Sequence, residues 1–169
     1  MANDKKMIEA FKKGMDIHRM TASEIYNVPL EAVTSEQRRG AKTLNFGVLY
    51  GMGPVAFAES TGMSRTDAKK FIDEYFADFS GIRDYIERTK RFAEEKGYVE
   101  TLFGRRRYIP EIFSSNWQLK REAERMAVSH TIQGTATGDI VKMAMIQIDR
   151  WVRKEKLEDK LRILLQVHA

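Results

Sequence analysis

The sequence has no cysteine and only three prolines in 169 residues. The first absence excludes disulfides and thiolate metal sites, and it fits a reducing cytoplasmic setting. The scarcity of proline leaves long uninterrupted stretches, most of which read as helix. No apolar run is long enough to span a membrane. The opening Met1-Ala2-Asn3-Asp4-Lys5-Lys6 lacks the apolar stretch of a signal peptide. There is no internal repeat, low-complexity tract or flexible linker. What the chain does carry is charge of both signs with a basic surplus, net +5 and a pI near 9.4. Such a surplus favours a polyanionic partner, although a mildly basic protein without one would show the same numbers. A hydrophobic fraction of 43% is ordinary and allows a packed core.

Periodicity and punctuation predict a helical series. Residues 3–13 form a short amphipathic segment with Met7, Ile8 and Phe11 on one face. Asp16 caps a helix to about Tyr26, which Asn27-Val28-Pro29 stops. Thr34-Ser35-Glu36-Gln37 is a capping-box start for a helix reaching Tyr50, and Gly51-Met52-Gly53-Pro54 ends it. A short helix to about Ser60 and two longer ones, 64–79 and 81–96, follow, the longer pair with core stripes at Ile72, Tyr75, Phe76 and at Ile82, Tyr85, Ile86. Beyond Gly97 the pattern alternates, turns at Phe103-Gly104 and returns through Arg105-Arg106-Arg107, which predicts a β-hairpin ended by Pro110. Residues 115–156 are helical again, with a break around Gly134 to Gly138. The apolar run 161–167 reads as a strand whose neighbours are elsewhere.

Arg38, Lys42, Phe46 and Tyr50 recur every four residues and so wind as one stripe along a helix. Its first half is cationic and its second aromatic, the same division as a nucleoside triphosphate, whose polyanionic tail leads to a sugar and a base. An amphipathic helix with exposed cations and core aromatics gives the same spacing. Arg125, Ser129 and Gln133 form a second stripe, polar, suited to backbone and minor-groove contacts or simply to solvent.

The full string Arg38-Arg39-Gly40-Ala41-Lys42-Thr43-Leu44-Asn45-Phe46-Gly47-Val48-Leu49-Tyr50-Gly51 resembles the O-helix signature of family A DNA polymerases. The resemblance extends, in family order, to 16–22, to the arginine-rich hairpin 97–108, to Glu124-Arg125-Met126-Ala127 with Gln133-Gly134-Thr135-Ala136, and to Leu165-Gln166-Val167-His168. It implies a mainly α chain: a palm-side lead-in helix over 1–15, helical fingers over 16–114 with the O-helix at 35–51 and a hairpin at 97–110, and partial palm helices with a truncated catalytic strand over 115–169. It implies that Arg38, Lys42 and His18 hold the incoming deoxynucleoside triphosphate, with Lys42 also steadying the pyrophosphate that leaves. Phe46 would pack on the deoxyribose, and Tyr50 and Gly51 would meet the templating base and strand. Arg125, Ser129 and Gln133 would contact primer-template DNA, and His168 the primer end. The hairpin arginines Arg105, Arg106 and Arg107 contact phosphate or only decorate the hairpin; alternating strand faces favour the second.

The pattern also departs from the family. Two aspartates that organise Mg2+ in the parent enzyme belong before Asn3 and after His168, where Ala169 stands. Asp16, Asp67 and Asp139 read instead as caps or solvated helix residues, so this chain is expected to hold no metal and to be inactive without the missing palm and thumb. Ser129 stands where the family commonly has asparagine. The stretch 133–140 is one residue longer than the usual pattern, which predicts a bulge near Thr137-Gly138. Three readings stay open at this point: a piece of a DNA-copying enzyme, a DNA-binding helical module, or a folded piece with no function of its own.

Overall fold

The computed structural model describes residues 1–167. It divides into two compact units, residues 1–89 and residues from 90 onward. His168, expected at a primer end, lies outside the described residues.

The first unit is helical. Helix α1 (Lys5–Lys12) starts at Asp4, whose side chain accepts from the Met7 N–H. Helix α2 (Ile17–Tyr26) starts at Asp16 in the same manner. A 3-10 turn at Leu30–Ala32 leads to α3 (Ser35–Leu49), which begins with the expected reciprocal box: Thr34 accepts from Gln37 N–H, and the Gln37 side chain accepts from Thr34 N–H. Gly51, at φ +86, takes the left-handed conformation just past the end of α3, and its N–H donates to Val48 O at 3.1 Å. Helices α4 (Pro54–Thr61), α5 (Arg65–Asp78) and α6 (Ser80–Lys96) complete the series. Pro54 at the first turn of α4 and Ser64 capping α5 explain where those two begin.

The core of this unit joins Ile25 of α2, Leu44 and Val48 of α3, Phe57 of α4, and Ile72 and Tyr75 of α5. Phe57 is fully buried and stacks on Phe71 with ring centroids 5.1 Å apart. Burial pushes the Tyr75 hydroxyl up to about 12, so it is neutral at any ordinary pH. Asp4 has a second task. Its Oδ2 accepts from Gly81 N–H at 2.9 Å, and a β-carbon at Gly81 would run into Asp4, so glycine there lets α6 approach α1.

In the second unit, β1 (Tyr98–Glu100) pairs antiparallel with β2 (Arg106–Tyr108) in the register Tyr98 with Tyr108 and Glu100 with Arg106. After a 3-10 turn at Pro110–Phe113, α7 (Trp117–Gln133) is capped by Asn116 and packs on β1 over Val99, Ile109, Ile112, Ala123 and Ala127. The expected break is a π-helix, Gly134–Ile140, which passes directly into α8 (Val141–Lys154). A π turn absorbs one extra residue without ending the helix, which is what the longer stretch requires. Gly138 makes room within it: a β-carbon there would collide with the Arg105 guanidinium.

One expectation is overturned. Residues 161–167 form no strand and are exposed throughout. A strand is held by a ladder, and the sheet among the described residues contains β1 and β2 alone.

Candidate nucleotide and nucleic-acid interface

Helices α2 and α3 pack against each other and bring the first set of expected residues together. At the cationic end, Arg38 Nε donates to Asp16 Oδ2 at 2.5 Å. Asp16 thus both caps α2 and aims the guanidinium. That pairing holds its carboxyl below the usual value of 3.8, with the Arg19 backbone N–H helping against partial desolvation. Arginine has five donors in a planar fork, so its two terminal nitrogens stay available for another oxyanion. Lys42, one turn on, is exposed and makes no salt bridge among the described residues.

His18 of α2 lies between the cations and the rings. Its ring centroid is 6.0 Å from that of Phe46, which stacks in turn on Tyr50 at 6.2 Å. Burial lowers the His18 pKa from 6.5; Arg38 and Lys42 lower it further, while Asp16 opposes them. The three basic groups are thus near enough to act on one another's charge. Phe46 is 41% exposed, so a large apolar ring faces outward beside them. The stripe read from spacing is therefore one surface with cations at one end and stacked rings at the other. Sequence reasoning missed two of its residues. Asn45 is buried beneath it and bonds His18, and Asp16 is a partner of Arg38 as well as a cap.

These shifts predict how stability depends on pH. Asp16 is depressed in the fold, so its contribution is full above 3.8 and is lost as pH falls through the lower folded value. His18 is also depressed, so the unfolded chain binds its proton more readily. Stability therefore falls as pH drops below 6.5 toward the folded value. His18→Gln should flatten the stability profile just below pH 6.5 and leave the Asp16 region unchanged. Denaturant midpoints against pH would show this, and an unaltered profile would contradict it.

In the second unit, Ser129, Gln133, His130, Arg105 and Arg107 line a cavity of about 310 Å³. Ser129 donates to Gln133 Oε1 at 3.2 Å, which leaves the Gln133 amide nitrogen available. Arg125 is exposed on α7 and its nearest carboxylate is Glu122 at 4.0 Å. The three hairpin arginines all have partners in their own unit. Arg105 bonds Asp139 and Gly134 O, both at 2.8 Å; Arg106 bonds Glu100 and covers Tyr98; Arg107 reaches the Met126 sulfur. Arg107 ties the hairpin to α7 and Arg105 ties it to the π turn, while Arg106 holds the two strands together. Asp139 is held low by hydrogen bonds from Thr101 and Arg105, which places it in that stitching.

Among the described residues no three His, Asp or Glu side chains gather into a set that could hold a metal ion. Of the three aspartates weighed from the sequence, Asp16 and Asp139 each accept from an arginine, and Asp67 accepts from Ser64 Oγ at 2.7 Å. No helix among the described residues is long and apolar enough to cross a membrane.

Comparison with known proteins gives this arrangement a context. The chain is 46% identical over 168 residues to DNA polymerase I of Pseudomonas aeruginosa, covering 99% of this chain and 18% of that one. It is 45% identical to DNA polymerase I of Geobacillus stearothermophilus, covering 99% of this chain and 19% of that one. It therefore spans about a fifth of the length of these relatives. A solved structure similar to it is the polymerase domain of Pol1 from M. smegmatis in complex with DNA primer-template and dNTP, with a TM-score of 0.87, 41% identity, and coverage of 98% of this chain and 29% of that one. The pattern of DNA polymerase family A matches residues 1–169 without remainder, and the chain belongs to that family.

Proposed function

We propose that this chain is the nucleotide-gripping part of a DNA-directed DNA polymerase, a nucleotidyltransferase that adds deoxynucleoside triphosphates to a primer 3′ end in the bacterial cytoplasm. A palm-side lead-in over 1–15, fingers over 16–114 and a partial palm over 115–169 are the division this reading assigns. The observation that carries it is the surface on α2 and α3, where His18, Arg38 and Lys42 crowd one end and the Phe46–Tyr50 pair occupies the other. A triphosphate has a matching division of charge. Arg38, aimed by Asp16, would take phosphate oxygens with its terminal nitrogens. Lys42 would meet the charge that grows on the departing pyrophosphate, where a fixed cation is worth most. Phe46 would back the deoxyribose, while Tyr50 and Gly51 would border the template. Arg125, Ser129 and Gln133, with His168, would line the duplex.

The parent uses a divalent metal, Mg2+ in this reading, that its own aspartates organise; palm and thumb complete the site. This chain alone is accordingly inactive: purified, it extends no primed template. Extension that a chelator abolishes would overturn that statement.

The same reading predicts weak DNA binding without sequence preference, because a basic surplus meets the phosphate backbone before any base is read. Affinity should fall steeply between about 50 and 200 mM salt as counterions are released. A fluorescence-anisotropy titration at several salt concentrations tests this. Salt-independent binding, or strong preference for one sequence, would contradict it.

A further inference from the structure

Asn45 is a buried polar residue, 4% exposed, in the middle of a helix. Such a group persists in a core only when its hydrogen bonds are satisfied. The Thr21 hydroxyl donates to its Oδ1 at 3.1 Å, and its Nδ2 lies 3.0 Å from His18 Nδ1. Thr21 is itself buried, so this chain of bonds is shielded from water. An amide nitrogen only donates. With the amide placed so, the His18 Nδ1 accepts and the ring proton sits on Nε2.

We infer that Asn45, oriented by Thr21, is a positioning residue that fixes His18 as the neutral Nε2–H tautomer. What that N–H then meets rests on the proposed function: it is a single directed donor for an oxygen of the triphosphate. Asn45 holds the imidazole still without touching nucleotide. A second proton would have to enter at Nδ1, facing the amide N–H. For that, the amide must turn over and the Thr21 hydroxyl must change from donor to acceptor.

The surroundings agree. The groups facing the imidazole are Asp16 at the start of α2 and Arg38 and Lys42 of α3. His18, Asn45 and Phe46 border a cavity of about 460 Å³ to which α1, α5 and α6 contribute Met7, the neutral Tyr75 and Ile82, and no further charge. Burial and two cations, opposed by one carboxylate, lower the His18 pKa, which favours the neutral ring that the fixed tautomer requires.

The test uses this chain with ¹⁵N-labelled histidine. Long-range ¹H–¹⁵N spectra report which ring nitrogen carries the proton, and the His18 signals are those lost in His18→Ala. The expected wild-type pattern is Nε2–H, kept in Thr21→Ser. Asn45→Asp offers only acceptors, so both His18 nitrogen resonances should exchange character, with the proton on Nδ1 and a raised titration midpoint. Should Asn45→Asp fail to fold, Thr21→Val removes the hydroxyl alone and should give a mixture of tautomers. A wild-type Nδ1–H pattern overturns the inference, as do unchanged His18 resonances in folded Asn45→Asp or in Thr21→Val; a merely structural Asn45 would alter stability and leave the tautomer alone. If the tautomers behave as stated but saturating deoxynucleoside triphosphate moves no His18 resonance, the positioning stands and the triphosphate reading falls.

Discussion

Lys42→Ala should cost on the order of a hundredfold or more in single-turnover incorporation while barely affecting the stability of the fold. The rate would be measured in a chimaera in which residues 1–168 of this chain replace the matching segment of Geobacillus stearothermophilus DNA polymerase I, leaving that enzyme's own residue after the segment in place. The loss follows from where the charge acts: a cation facing charge that develops in the transition state supports the chemical step itself. Stability should move by no more than about 0.5 kcal/mol, because Lys42 is exposed and makes no salt bridge among the described residues. If α3 is only a structural amphipathic helix, the pattern reverses. The lysine stem then packs, its removal destabilises the chain, and incorporation continues. A chimaera with Lys42→Ala that incorporates at nearly the parent rate would defeat the triphosphate assignment despite the family match.

Phe57→Ala should be the most damaging single change to stability, at roughly 3–5 kcal/mol. Phe57 is 0% exposed and lies among Ile25, Leu44, Val48 and Ile72 with Phe71 stacked beside it. Its loss removes transfer energy and leaves a cavity that four helices must collapse to fill. A small domain has only about 5–15 kcal/mol in total, so the first unit should be partly unfolded at moderate temperature. Phe103→Ala is the matched control. Phe103 is 52% exposed at the hairpin tip and should cost little. Urea midpoints for both variants decide it, and equal midpoints would mean the α2–α5 core is not what holds the unit together.

How far the sequence could be read depends on the distance over which each signal acts. Thr34 with Gln37, and Asp16 with the Arg19 N–H, are three residues apart, and both caps were legible. So was the hairpin, because Gly104 at φ +80 supplies the turn and side chains alternate around it. The extra residue against the family pattern announced a bulge near Thr137-Gly138, which the structure makes as a π turn. What stayed hidden was tertiary. Arg38 meets Asp16 across 22 residues, Asn45 meets Thr21 across 24 and His18 across 27, and Asp4 meets Gly81 across 77. No periodicity encodes such pairs. A buried asparagine in a helix, written beside an aromatic, carries no mark of the histidine it will face. The opposite error occurred at 161–167, where an apolar run promised a strand. Local propensity cannot supply the neighbouring strand a ladder requires.

The most direct test of the central claim is to titrate this chain with a deoxynucleoside triphosphate and follow its side-chain and amide resonances. Binding at the α2–α3 surface predicts that Arg38, Lys42, His18 and the Phe46 ring move together. The shifts should weaken stepwise for the diphosphate and monophosphate as anionic charge is removed, and should disappear in Arg38→Ala/Lys42→Ala. Shifts confined to Arg105, Arg107 and Arg125, or equal shifts for triphosphate and nucleoside, would contradict it.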